Sequence, residues 1–124
     1  MEESQRDESR LIFDRGELLA RVENDFELLG EIVRIFKQDF PSHLFALREA
    51  VKARDGKSVA SVAHTLKGML SNLAAIQATG TVARLEQLGR KGEASRYDEV
   101  FAAFEDDASK LMPLLEACMS EECR

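Results

Sequence analysis

Apolar residues recur at steps of three and four almost throughout this 124-residue chain, and nowhere do they alternate over the length of a strand. Side chains at that spacing share one side of a helix, so the pattern predicts an all-α fold and leaves no material for a sheet. The longest stripe is Leu28, Leu29, Ile32, Val33, Phe36, Phe40, Leu44, Leu47 and Val51. A second joins Tyr97, Val100, Phe101, Phe104, Ala108, Leu111, Leu115 and Cys118, the seam of a helical bundle.

Start and stop signals divide the stripes into helices. Asp14 as a cap with Glu17 three places on, and Phe13 with Leu18 as a hydrophobic staple, predict a first helix over about 14–23. Asn24 with Glu27 starts a second over about 25–54, which Pro41 should kink or break because proline lacks the amide donor and crowds the turn before it. Asp55-Gly56 marks a turn, with Asp55 also placed to cap a third helix over about 57–75. A fourth follows over about 76–91, with Gly89 and Gly92 near its end, and the fifth carries the second stripe with a bend at Pro113. Short connections favour antiparallel neighbours, so the expected architecture is an antiparallel up-and-down four-helix bundle, with the additional short N-terminal helix as a lid. Residues 1–12 read as a charged leader or linker, about 13–120 as the bundle and 121–124 as a C-terminal tail.

Composition narrows the function classes. No apolar run approaches the roughly 20 residues of a bilayer crossing, which argues against a membrane protein. The first residues, MEESQRDESRLI, are neither a signal peptide nor a transit peptide, so the expected location is cytoplasmic. A net charge of −6 with dispersed basic residues, Arg90-Lys91 being the only adjacent pair, argues against nucleic acid as a partner. Cys118 and Cys123 form no CxxC pair and read as incidental thiols of a reducing compartment. His43 belongs to no motif and reads as a surface residue, and no Glu-x-x-His is present to build a carboxylate-bridged metal centre. Neither a GxxxxGK[ST] loop nor a GxGxxG turn occurs, so phosphorylation from ATP by the chain itself is not expected.

The third helix departs from a plain bundle helix. Val59, Val62, Leu66, Met69, Leu70 and Leu73 gather on one side, and His64 falls roughly 170° from the centre of that stripe on a helical wheel. Around His64 lie Ala60, Ser61, Lys67, Gly68 and Ser71, with Ala75 further along, nearly all of them small. A solvated helix face normally carries long charged residues, and Gly68 costs about 1 kcal/mol relative to Ala in a helix interior. The omission lets a bulky group or a partner's surface approach the imidazole closely. Lys67 adds a mobile positive charge suited to an anion held there. Together they describe a nucleophile that accepts an anionic group such as phosphoryl, with Ala60, Ser61, Ser71 and Ala75 as its docking surround.

Ala63-His64-Thr65-Leu66-Lys67-Gly68 resembles the AHxLKG phosphorylation motif of histidine-containing phosphotransfer (HPt) domains of bacterial phosphorelays. Phe13-Asp14, Leu18-Leu19, Asp25, Leu28-Leu29, Phe36, Leu44, Leu47, Ala50 and Asp55 resemble that family's lead-in. Asn72-Leu73-Ala74-Ala75 and Leu85-Glu86 resemble its continuation, so the likeness covers about 13–120. Met69 and Leu70 depart from the small residues common after the glycine, and Ala74 from the glycine common after Asn-Leu. Both touch packing and the junction after the third helix more than the chemistry.

The resemblance implies a phosphorelay intermediate that takes a phosphoryl group on His64 from a receiver-domain aspartate or a kinase and passes it to another receiver. Lys67 would then steady the phosphoryl charge and Gly68 supply clearance. Response-regulator receiver domains are the implied partners, with a hybrid sensor histidine kinase as a further one, and the receiver brings the Mg²⁺. On this chain the resemblance implies no cofactor, no metal and no enzyme activity of its own, in a phosphocarrier acting as a monomer. A helical adaptor that docks a signalling partner through the same face without phosphorylation is the alternative. A metal- or cofactor-holding bundle is a third reading, motivated by fold class alone.

Overall fold

The computed structural model describes residues 12–122, with side chains through Met119. Among the described residues the helices follow in the order α1 (Arg15–Arg21), α2 (Phe26–Lys52), α3 (Gly56–Asn72), α4 (Ile76–Lys91) and α5 (Tyr97–Glu122), the last entered through a 3₁₀ turn at Ala94–Arg96. No strand occurs among the described residues. Most of the leader, the last two residues of the tail and Cys123 lie outside that range, as do the side chains of 120–122.

Three aspartates start three helices. Asp14 accepts the Glu17 amide at 3.1 Å, Asp25 the Leu28 amide at 3.1 Å and Asp55 the Ser58 amide at 3.2 Å. Each satisfies a donor that the first helical turn leaves over, a contribution of about 1 kcal/mol. The second start differs from the sequence expectation by one residue: Asp25, not Asn24, is the cap. Asn24 instead joins Glu23 in the left-handed region, at φ 60° and 51°, and the pair makes the α1–α2 turn. Asp25 accepts the amide three residues on, which leaves Asn24 for the conformation asparagine tolerates better than most residues.

Pro41 and Pro113 do not break their helices. The residues four positions earlier, Lys37 and Ser109, are both exposed, so the carbonyls that the prolines release belong to the wetted side.

α2, α3, α4 and α5 pack as a ring in which each helix touches the next and α5 returns to α2. Leu47, Val59, Leu66, Leu70, Val82, Leu85, Phe104 and Leu115 fill the middle, each 0% exposed. Cys118 belongs to this core as well, at 4% exposed, so it is a packed side chain and not an incidental thiol at a frayed end. Two arginines tie α2 and its C-terminal turn to α5: Arg48 pairs with Glu105 at 2.6 Å, and Arg54 forms two bonds to Asp98, at 3.1 and 2.7 Å.

α1 lies over the α3–α4 junction. The Asp14 amide donates to the Ala74 carbonyl at 2.9 Å, and the Arg21 guanidinium donates to the carbonyl of Ser71 in the last turn of α3. That turn leaves carbonyls without helical partners, and an arginine there also meets the negative end of the helix dipole. α3 ends at Asn72, three residues short of the expected boundary. The chain reverses through Ala74 at φ 57°, and the Ala75 amide bonds back to the Leu70 carbonyl at 3.1 Å. Glycine takes this left-handed position at least cost, so the alanine there carries a local strain of about 1 kcal/mol or more.

Candidate functional site

α3 and α4 touch through two glycines. A Cβ on Gly56 would stand 2.6 Å from the Gly89 carbonyl oxygen, and one on Gly89 would stand 2.8 Å from the Ala60 amide nitrogen. Only residues without side chains allow backbones this close. One helical turn before Gly89, on the same face, α4 carries Glu86 against α3.

Glu86 is the one buried charged side chain among the described residues, 1% exposed. Burying a carboxylate is costly unless it is paired and hydrogen-bonded. Three groups meet that need. His64 Nδ1 lies 3.0 Å from Oε2, Lys67 Nζ lies 2.8 Å from Oε1, and the Arg90 guanidinium also donates to Oε2. Burial works to raise the carboxyl pKa, but the hydrogen bonds from Lys67 and His64 and the charges of Lys67 and Arg90 outweigh it and hold the group below the usual carboxylate range.

An ionised carboxylate only accepts hydrogen bonds, so the proton between the two groups sits on His64 Nδ1. In the neutral ring the lone pair is then on Nε2, the nitrogen not bonded to Glu86. The imidazole is 65% exposed, as its place opposite the apolar stripe predicted. A Cβ on Gly68 would meet nothing within 4 Å, so packing does not require glycine there. Helical side chains lean toward the N-terminus, so a long residue at 68 would reach back over the turn that carries His64.

Ala60 and Ser61 line a shallow depression of about 310 Å³ with His64, Thr65 and Arg90. Ser71 is exposed but borders a separate groove of about 460 Å³, shared with Arg21 and Ile76. Ala75, expected on the open face, is 0% exposed and caps α4, so it presents no side chain to a partner. The early end of α3 is the reason: past Asn72 the helical wheel no longer applies. Lys67 is not a mobile charge but is ion-paired to Glu86, and Arg90 from α4 joins the small residues around His64 as a second cation on that carboxylate.

The motif around His64 did not disclose the roles of Glu86 and Arg90. A signal for both was present. Glu86 falls in register with Val82, Leu85 and Gly89 on the inward side of α4, where an acid needs a partner, and Arg90 stands one turn beyond it.

The family model of the Hpt domain matches residues 31–121. The chain belongs to the Hpt family. It is a histidine phosphotransfer intermediate of phosphorelay signalling, a phosphocarrier module whose family works with receiver domains and kinases. A similar fold is found in the crystal structure of histidine-containing phosphotransfer protein B (HptB) from Pseudomonas aeruginosa, with a TM-score of 0.73 at 24% identity over 89% of this chain and 96% of that one. Comparison with curated proteins returns no match. Among the described residues of this Hpt chain, no helix is long and apolar enough to cross a membrane, and no His, Cys, Asp and Glu side chains gather as a metal site would need.

Proposed function

We propose that His64 is the phosphoacceptor of this Hpt domain and that Nε2 is the atom that reacts. The observation that carries the reading is the bond between Nδ1 and the buried Glu86 carboxylate, which places the lone pair on the other nitrogen of an exposed ring. Nε2 attacks the phosphorus of a receiver's aspartyl phosphate. The N–P bond forms as the aspartyl O–P bond breaks, and that electron pair leaves with the aspartate carboxylate. The ring, still protonated on Nδ1, takes up positive charge, and Glu86 at 3.0 Å offsets it. The reverse step returns the group to a second receiver. Because phosphoryl transfer rests mainly on position and charge neutralisation, one oriented imidazole with cations beside it suffices on this side of the complex.

The partner supplies the phosphorylated aspartate and its metal, and the chain has no kinase activity of its own. Residues about 13–120 form the working unit, and Ala60, Ser61 and Ser71 belong to the face that a receiver covers. Incubation with phosphorylated receivers tests the reading. Label is expected to pass to the wild type and not to His64→Gln, and equal labelling of the two would overturn it.

A further inference from the structure

Two features of His64 decide where a group on its ring would lie. The bonds leaving the two imidazole nitrogens point to opposite sides of the ring, and Nδ1 is committed to Glu86 on α4. At about 100° per residue, Ala60 and Lys67 fall on the flank of His64 that faces α4, where Lys67 pairs with Glu86 and the Ala60 backbone abuts Gly89. Ser61, Thr65 and Gly68 fall on the opposite flank. A group on Nε2 therefore projects over that flank, and because helical side chains lean toward the N-terminus it lies over the turn of Ser61. Ser61 and Thr65 line the depression beside the ring with Ala60 and Arg90. At about 310 Å³ it is at the small end of ligand sites, with room for a small group and not for a nucleotide.

The two hydroxyls on that flank are not alike. Thr65 Oγ1 turns back onto α3 and donates to the Ser61 carbonyl at 3.4 Å, as Ser42 does to the Asp39 carbonyl at 3.1 Å and Ser109 to the Asp106 carbonyl at 2.7 Å. The Ser61 hydroxyl makes no bond of this kind among the described residues, and its side chain is exposed at the edge of the depression. We infer that Ser61 is a phosphoryl-positioning residue of this site: once His64 carries the group on Nε2, the serine hydroxyl donates to one of its oxygens. The inference rests on His64 as the acceptor. It gives the group a contact on the flank of α3 away from the ion pairs of Glu86, from a residue outside the hexapeptide that contains the histidine. A neutral donor suits a group that must leave again, since it orients the oxygens without adding a charge that would retain them.

The test needs no receiver. The full chain is loaded with potassium phosphoramidate, the position of the label is established by mass spectrometry, and the phosphoryl resonance is followed by ³¹P NMR against pH in wild type, Ser61→Ala and Ser61→Thr. Alanine is the better helix former, so the first variant keeps α3 intact. A donor on the phosphoryl oxygens favours the dianion, so Ser61→Ala should raise the phosphoryl pKa by about half a unit, while Ser61→Thr, which keeps a hydroxyl, should restore most of the difference. The charges that face the group, Glu86, Lys67 and Arg90, are the same in all three proteins, so the difference belongs to position 61. A purely structural role for Ser61 would not move that titration. Label on His64 with superimposable titrations in wild type and Ser61→Ala would overturn the inference and leave the acceptor standing, as would a shift that Ser61→Thr does not reverse. Label absent from His64 in the wild type would overturn both.

Discussion

His64 Nδ1 lies 3.0 Å from Oε2 of Glu86, a carboxylate 1% exposed that reaches the histidine from the neighbouring helix. One bond thus fixes the tautomer of an exposed ring from beneath. The same carboxylate holds Lys67 and Arg90, so a buried acid organises three groups that face the solvent.

The two oxygens of Glu86 make its substitutions informative. Glu86→Gln keeps an oxygen that accepts from Nδ1–H, whereas Glu86→Ala removes it and releases the ring to its solution mixture of tautomers. Phosphotransfer should therefore fall by about tenfold or more in Glu86→Ala and by less in Glu86→Gln. Nitrogen-15 NMR of the imidazole should show Nδ1 protonated in wild type and in Glu86→Gln, and a mixture in Glu86→Ala. Loss of transfer with no change of tautomer would separate the carboxylate's charge from its role in orientation.

Glu86 also predicts how stability depends on pH. Its carboxyl is held below the usual carboxylate range in the folded chain, so it binds a proton less readily folded than unfolded. The stabilisation is fully present above the unfolded-state pKa and is lost as the pH falls through the folded one. Thermal unfolding of wild type should thus lose its margin over Glu86→Gln as the solution is taken from neutral to below about pH 4. A margin that stays constant over that window would contradict the ionised pairing.

Gly68 and Gly89 occur in adjacent helices but do different work. A Cβ at 68 meets nothing within 4 Å, so Gly68→Ala should stabilise α3 by about 1 kcal/mol, while Gly68→Gln should fold and transfer poorly. A Cβ at 89 would stand 2.8 Å from backbone atoms of α3, so Gly89→Ala should cost about 1–3 kcal/mol by pushing the helices apart. It should also weaken transfer, because it moves Glu86 away from His64. Chemical unfolding and transfer assays on the three variants check both halves of the contrast.

Lys67 is engaged with the carboxylate before any phosphoryl group arrives. Lys67→Ala is expected to slow transfer or shorten the life of the phosphorylated form, while Nδ1 keeps its bond to Oε2. Time courses of labelling and of decay on the isolated protein separate the two effects, and unchanged values for both would remove the lysine from the chemistry.

The sequence made the helices legible because the longer ones show apolar stripes and the first three start at capping aspartates, signals local to a few turns. It also singled out His64, Lys67 and Gly68 as candidates, since a bare imidazole among small residues contradicts the ordinary composition of a wetted helix face. The partners across the α3–α4 contact were harder to read. Glu86 lies 22 positions from His64, and only the close approach of Gly56 and Gly89 brings the two together. Ala75 was misplaced for a related reason: the reversal at Ala74 depends on a left-handed residue that is not glycine, so the wheel ran past the true end of α3. Lys67 looked mobile because its partner belongs to another helix.

In the proposed transfer the phosphoryl group resides on Nε2 of His64. The most direct measurement is ³¹P–¹⁵N NMR on the imidazole-labelled protein after transfer from a phosphorylated receiver, accompanied by chemical stability of the label. Phosphorus is expected to couple to Nε2, with label lost in acid and retained in alkali, and no label in His64→Gln. Coupling to Nδ1, or label that survives in His64→Gln, would contradict it.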